Sequence, residues 1–218
     1  MKKIVAINAS PRASWNTAQL VEQAALGAKI ENAQVVKYDL YKQEKFTGCV
    51  SCFGCMLEPN QGRCVCKDGL TEILEDIRTA DGLIIGTPNY LGDVSAGFRA
   101  LFERLIFQHL TYKHEVAGYE QQNIPVLFIM TSNVAADLYD NSGYTDMLAG
   151  YKKRLERFIG PVKFLISGQT KQVKDYSRYG WTYFDAEAVE NRHKTVFPME
   201  KAQAYALGAK MVSGSWED

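Results

Sequence analysis

The sequence predicts an α/β fold: a doubly wound parallel sheet of five strands, order 2-1-3-4-5, with helices on both faces. Three features carry that expectation. Short, nearly uninterrupted apolar runs read as strands buried on both faces. They alternate with segments whose apolar residues recur at helical spacing. Polar loops follow the first, third and fourth runs, where an open α/β sheet holds its ligand.

Ile4-Val5-Ala6-Ile7 is the first strand, and Thr17 to Ala28 the first amphipathic helix. The loop between them carries the hydroxyls of Ser10, Ser14 and Thr17, the amide of Asn16 and the guanidinium of Arg12. It lacks both Gly-x-x-x-x-Gly-Lys-Ser/Thr and Gly-x-Gly-x-x-Gly, so neither a P-loop nor a dinucleotide turn is expected. What remains suits one phosphate at a helix N-terminus. The plainer alternative is an ordinary loop with Ser14 or Asn16 as N-cap.

Val35 to Leu40 is the second strand, and Tyr41 to Lys67 has no periodicity. Asp68 or Thr71 caps a helix reaching about Arg78, with Leu70, Ile73, Leu74 and Ile77 on one face. Gly82 to Gly86 is the third strand, ending in the polar loop Thr87 to Asp93. Val94, Phe98, Leu101, Phe102, Leu105 and Ile106 make one helical stripe, with Arg99 and Glu103 pointing away. Gln108 to Asn123 reads as irregular. Pro125 to Met130 is strand four, ending at Thr131-Ser132-Asn133; a helix near Thr145 to Phe158 leads to strand five, Val162 to Ser167. A polar, aromatic tail precedes a last helix, Glu200 to Val212. No internal repeat interrupts the pattern. One domain over residues 1–218 is expected, with a cysteine-rich loop at 45–67 and a C-terminal extension at 169–218.

The 25 basic and 25 acidic residues cancel, which argues against nucleic acid as a partner and, more weakly, against a strongly acidic electron carrier. No apolar run approaches the roughly 20 residues that cross a bilayer. Two lysines lead directly into a strand, unlike a signal peptide, so a cytoplasmic location with reduced thiols is expected.

Two separate loops resemble the flavodoxin-like NADPH-dependent FMN reductase family. Ser10-Pro11-Arg12 with Asn16-Thr17 is similar to its phosphate loop, except that Ala9 stands where glycine is usual. Thr87-Pro88-Asn89-Tyr90 through Val94 to Arg104 is similar to its second motif, with Arg99 for lysine and Glu103 for aspartate. The resemblance implies a flavodoxin-like fold and bound FMN. It implies that Ser10, Arg12, Asn16 and Thr17, with Ser14 beside them, hold the phosphate. Pro88, Asn89, Tyr90, Leu91 and Gly92 would then lie along the isoalloxazine ring, with Thr131, Ser132 and Asn133 completing the site. Neither loop supplies a general acid, and flavin chemistry does not demand one. No catalytic residue is assigned. As a core-edge aromatic, Tyr90 has an alternative purely structural reading.

Every cysteine falls within eighteen residues: Cys49-x2-Cys52-x2-Cys55-x8-Cys64, with Cys66 two further on. The run resembles that of the iron–sulfur flavoproteins within the same superfamily, whose clusters sit close to FMN. By that resemblance Cys49, Cys52, Cys55 and Cys64, or Cys66 in its place, would ligate a [4Fe–4S] cluster. Zinc, a disulfide and a metal-free thiol loop remain open alternatives. His109, His114 and His193 are scattered and suit surface or packing roles. Tyr176, Tyr179, Trp181, Tyr183 and Phe184 form an aromatic patch that fits either a subunit interface or packing on the same domain.

Three functions compete. One is an FMN-dependent oxidoreductase taking hydride from NAD(P)H and reducing a quinone, flavin, azo compound or similar small acceptor. Another is an iron–sulfur flavoprotein exchanging single electrons with ferredoxin. The third is a non-enzymatic thiol or zinc redox-sensing module. A homodimer or homotetramer is expected, chiefly from the resemblance.

Overall fold

The structure, a computed structural model, describes residues 1–115, 118–119, 122–183 and 185–216. Its strands are β1 (Lys3–Asn8), β2 (Gln34–Asp39), β3 (Gly82–Tyr90), β4 (Asp93–Val94), β5 (Val126–Thr131) and β6 (Val162–Ser167). Its α-helices are α1 (Asn16–Ile30), α2 (Thr71–Arg78), α3 (Ala96–Phe107), α4 (Tyr144–Phe158), α5 (Ala186–Thr195) and α6 (Phe197–Ser213). The parallel strands run β2-β1-β3-β5-β6, which is the expected order once the two-residue β4 is set aside.

Alternation along each strand divides the core. Val5, Ile7, Leu83, Ile85, Phe128 and Met130 face a cluster with Leu70, Ile73, Phe98, Leu101 and Leu155 from α2, α3, α4 and the residue before α2. Ile4, Ala6, Ile84, Leu127 and Ile129 face Leu20, Val21, Ala24, Phe197 and Met211 from α1 and α6. Helices therefore cover both faces, and the central strands must be apolar on both, as their sequences are.

Four local expectations change. Neither Asp68 nor Thr71 caps α2, whose N-cap is Leu70 without a side-chain capping bond. The third strand does not stop at Gly86 but continues through Thr87–Tyr90, because Leu91 (φ 55) and Gly92 (φ 85) make a tight turn. Asp93–Val94 then returns antiparallel, pairing with Asn89 and Tyr90. Two positive φ values suit such a hairpin, but leucine at the first position hid the signal. Neither Ser14 nor Asn16 caps α1; the N-cap is Trp15, whose side chain makes no capping bond. Helix α5 was not expected, since Val189 is its one fully buried residue and leaves no apolar stripe to read. The excursion at 108–123 and the aromatic patch lie partly outside the described residues, Phe184 entirely so.

Among the described residues, no helix is long and apolar enough to cross a membrane.

Candidate functional site

The carboxyl ends of β1, β3 and β5 open into one crevice lined by Ser10, Arg12, Trp15, Asn16, Thr17, Pro88, Asn89, Tyr90, Thr131, Ser132, Asn133, Thr170 and Gln172. The parallel sheet explains the convergence, because β3 lies between β1 and β5 and all three point the same way.

The phosphate-loop residues sit at the start of α1. Ser10 N–H donates to Asn8 Oδ1 at 3.1 Å, and Arg12 N–H to Ser10 Oγ at 3.1 Å, which curls the loop tightly. Asn16 and Thr17 are buried in the first helical turn. The hydroxyls of Thr17 and Thr131 share a 2.7 Å hydrogen bond that ties α1 to the end of β5. The Arg12 guanidinium lies 3.5 Å over the Trp15 ring and donates to Gln172 O at 2.6 Å. Partial burial lowers its pKa, opposed by nearby Tyr90, Tyr176 and Tyr179; an arginine stays charged regardless.

The α1 terminus has no side-chain cap, as is also true of α2, α4 and α6, while α3 and α5 are capped. Ser95 accepts from Phe98 N–H and Asp185 from Ala188 N–H, whereas Trp15 caps nothing. Leading N–H groups of a helix need a partner. Here they open onto a crevice with Arg12 at its lip, an arrangement suited to an anion.

The facing wall is β3. Pro88 and Asn89 are packed into it, and Asn89 Oδ1 accepts from Gly92 N–H at 3.1 Å, holding the hairpin. Tyr90 is 44% exposed at the crevice, where burial pushes its hydroxyl pKa up. Ser132 uses its hydroxyl on Val134 O (2.6 Å) and accepts from Tyr139 (2.8 Å), so it shapes the third loop. Three sequence-selected residues lie elsewhere. Leu91, fully exposed, and Gly92 form the hairpin tip. Ser14 faces a separate groove between α1 and β2, beside Lys37 and Asp39. The sequence reasoning missed Trp15, Thr170 and Gln172; the first lay in plain sight in the loop, the others in a tail without periodicity.

The five cysteines line a second cavity with Phe53, Val65, Arg104, Phe107 and Gln108, and it shares no lining residue with the crevice. The loop rests on the C-terminal half of α3. Cys49 N–H donates to Glu103 Oε2 (3.3 Å), Cys64 N–H to Gln108 Oε1 (3.1 Å), and Phe53 meets Phe107 edge-on. Arg104, unassigned from sequence beyond its place in a motif, is only 1% exposed. It grips both Asp68 oxygens at 2.6 Å, donates to Cys66 O at 2.8 Å and directs Nε at Cys64 Sγ, 3.3 Å away. Burial would lower the arginine, but Asp68 and Cys64 outweigh it and raise its pKa. Burial would raise Asp68; its bonds from Arg104, Leu70 and Thr47 bring it below the usual carboxylate value. Burial, with Cys64 next, pushes the Cys55 thiol up to about 11.

Among the described residues, no three His, Cys, Asp or Glu side chains are grouped to hold a single metal ion. Thiolates around one zinc must nearly touch, since each sits about 2.3 Å from the metal. A cubane binds each thiolate at a separate iron corner and so holds them further apart. All five thiols line one small apolar cavity, backed by the buried Arg104 cation.

Comparison with known proteins agrees with this geometry. A family model described as NADPH-dependent FMN reductase matches residues 2–138. An iron–sulfur flavoprotein of Methanocaldococcus jannaschii is 35% identical over 102 residues, 47% of this chain and 51% of the relative. One from Methanosarcina thermophila is 34% identical over 104 residues, 48% of this chain and 52% of the relative. Each match thus spans about half the length of the relative. The fold is shared with an NAD(P)H:quinone oxidoreductase from Methanothermobacter marburgensis, TM-score 0.67 at 15% identity, covering 96% of both chains. With more than half its length matched by the family model, and all of the crevice lining but Thr170 and Gln172 within that portion, the chain belongs to the NADPH-dependent FMN reductase family.

Proposed function

We propose that the protein is an FMN-dependent oxidoreductase that takes hydride from NAD(P)H and reduces a small acceptor such as a quinone or flavin. The meeting of Arg12 and the first turn of α1 with the Pro88–Tyr90 wall in one crevice carries this reading. Bound FMN supplies the redox chemistry, accepting two electrons as hydride and passing them on singly or in pairs. The chain's part is to bind and orient. Arg12, Ser10, Asn16 and Thr17 surround the place for one phosphate, and Asn89 and Tyr90 form a wall for a flat ring. The reading needs no general acid from the chain, in keeping with the absence of an acidic or histidine side chain from the crevice lining among the described residues.

A second reading, an iron–sulfur flavoprotein exchanging electrons with ferredoxin, is favoured by the shared cysteine cavity and the likeness to the archaeal relatives. Cys49, Cys52, Cys55 and Cys64 would hold a [4Fe–4S] cluster. Cys66 is the weaker candidate, because Arg104 engages its carbonyl while directing Nε at the sulfur of Cys64. We take the chain as one domain with its tail packed upon it.

Anaerobic purification followed by a visible spectrum, iron and acid-labile sulfide assays, and NADH and NADPH oxidation with menadione separates the readings. Two resolved flavin bands with nicotinamide-dependent quinone reduction support the first. A broad added shoulder with iron and sulfide in equal amounts, lost in Cys52→Ser, supports the second. Protein without flavin after reconstitution with FMN would overturn both.

A further inference from the structure

Beyond Ser167 the chain makes a short bridge. Gly168 passes so close to the loop after β5 that a Cβ there would sit 2.4 Å from Ala136 N. Gln169 N–H donates to Val134 O at 3.1 Å, and Thr170 bonds Ser132 O through both its N–H and its hydroxyl, each at 3.0 Å. The next two residues reach the opposite lip. Asn16 Nδ2 donates to Lys171 O at 2.9 Å, and Arg12 donates to Gln172 O at 2.6 Å. Gln172 N–H then donates to the Tyr176 hydroxyl at 2.9 Å. Since β5 and β1 flank β3, residues 169–172 strap the crevice from one side to the other.

We propose that this strap is the second half of the phosphate site, and that Tyr176 is the positioning residue that sets its register. The inference rests on the phosphate-loop reading above. Residues 169–176 lie outside the portion matched by the family model. Arg12 is held on its face by Trp15 and at one edge by Gln172 O, and its other N–H groups have no protein partner among the described residues. A guanidinium fixed in advance loses less rotamer freedom when it grips an anion. The strap's carbonyls carry partial negative charge beside the place for that anion, and are tolerable there only while Asn16 and Arg12 occupy them. A strap that slipped would free both donors and expose both carbonyls. The Tyr176 hydroxyl prevents slipping through Gln172 N–H. Its own place is set by the turn over Tyr176–Arg178, capped by Asp175, and by edge-to-face contact with Trp181.

The full chain, stripped of flavin, would be titrated with FMN and with riboflavin as wild type, Arg12→Ala and Tyr176→Phe, and each variant unfolded in urea. Tyr176→Phe keeps the ring packing and removes one acceptor. Its FMN affinity should fall about fivefold, the worth of one neutral hydrogen bond, with riboflavin affinity and urea midpoint unchanged. Equal loss for both flavins, or no loss for either, would show the strap to be structural only and overturn the proposal. A wild type that binds both flavins equally, or an Arg12→Ala variant that keeps its preference for FMN, would sink the phosphate-loop reading and the strap with it.

Discussion

A guanidinium with 1% of its surface exposed keeps its charge at Arg104 because each side of the fork meets an acceptor. Removing one member of such a pair strands the other, which costs about 3–5 kcal/mol when both are buried. Asp68 retains 13% exposure, so the lower end applies. Arg104→Met should therefore lose about 3 kcal/mol in urea unfolding at neutral pH. Adding Asp68→Asn should restore part of that loss, and a double variant as weak as the sum of its singles would refute the pairing. Asp68 is held below its ordinary value, so its share of the stability is present at neutral pH. That share is lost as pH falls through its folded pKa. The arginine could be read from the sequence as part of a family motif, but its partner could not. Asp68 lies 36 positions away and looked like a helix cap.

At the scale of elements, α1 and α6 pack backbone to backbone. A Cβ on Gly27 would meet Tyr205 O at 1.9 Å, and one on Gly208 would meet Ala24 O at 1.9 Å. Helix propensity alone favours alanine over glycine by about 1 kcal/mol. Overpacking against a main-chain carbonyl costs about 1–3 kcal/mol and more than cancels that gain. Gly208→Ala should thus lower the melting temperature by a few degrees. Gly150→Ala is the control, because in α4 the new methyl meets only the flexible end of Arg154 at 3.4 Å and should be neutral or stabilising. Calorimetry on the two variants checks this, and equal melting temperatures would contradict the close-packed crossing. The helix itself was legible from its composition and length. Its glycine was not, since periodicity shows which face is apolar and says nothing of how near the neighbouring backbone comes.

On the scale of the whole molecule, the cysteine cavity and the crevice share no lining residue, and α3 contributes to the cavity alone. Val50, Phe53 and Leu57 around the cysteines are 60%, 46% and 64% exposed, and Leu91 at the hairpin tip is fully exposed. Apolar groups left in water at two functional edges suit subunit contact. We expect light scattering to give the mass of two or four chains of 24.5 kDa each. A monomer mass at all working concentrations would rule this out, and charged substitutions at Phe53 and Leu57 should weaken the assembly.

The sequence by itself determined the parallel sheet, its strand order and the three loops at one edge, because double-sided burial leaves a continuous apolar run that no other element needs. It also placed Ser10, Arg12, Asn16, Thr17, Pro88, Asn89, Tyr90, Thr131 and Ser132 around one crevice, since loops at the ends of neighbouring parallel strands have nowhere else to meet. Tertiary structure alone decided that Ser14 faces away from that crevice and that Trp15 leaves α1 uncapped. It alone decided that the tail at 169–172 closes the site and that Arg104 backs the cysteines. These depend on contacts between residues far apart in the chain. Such contacts involve carbonyls and guanidinium edges, which leave no periodic trace in the order of the side chains.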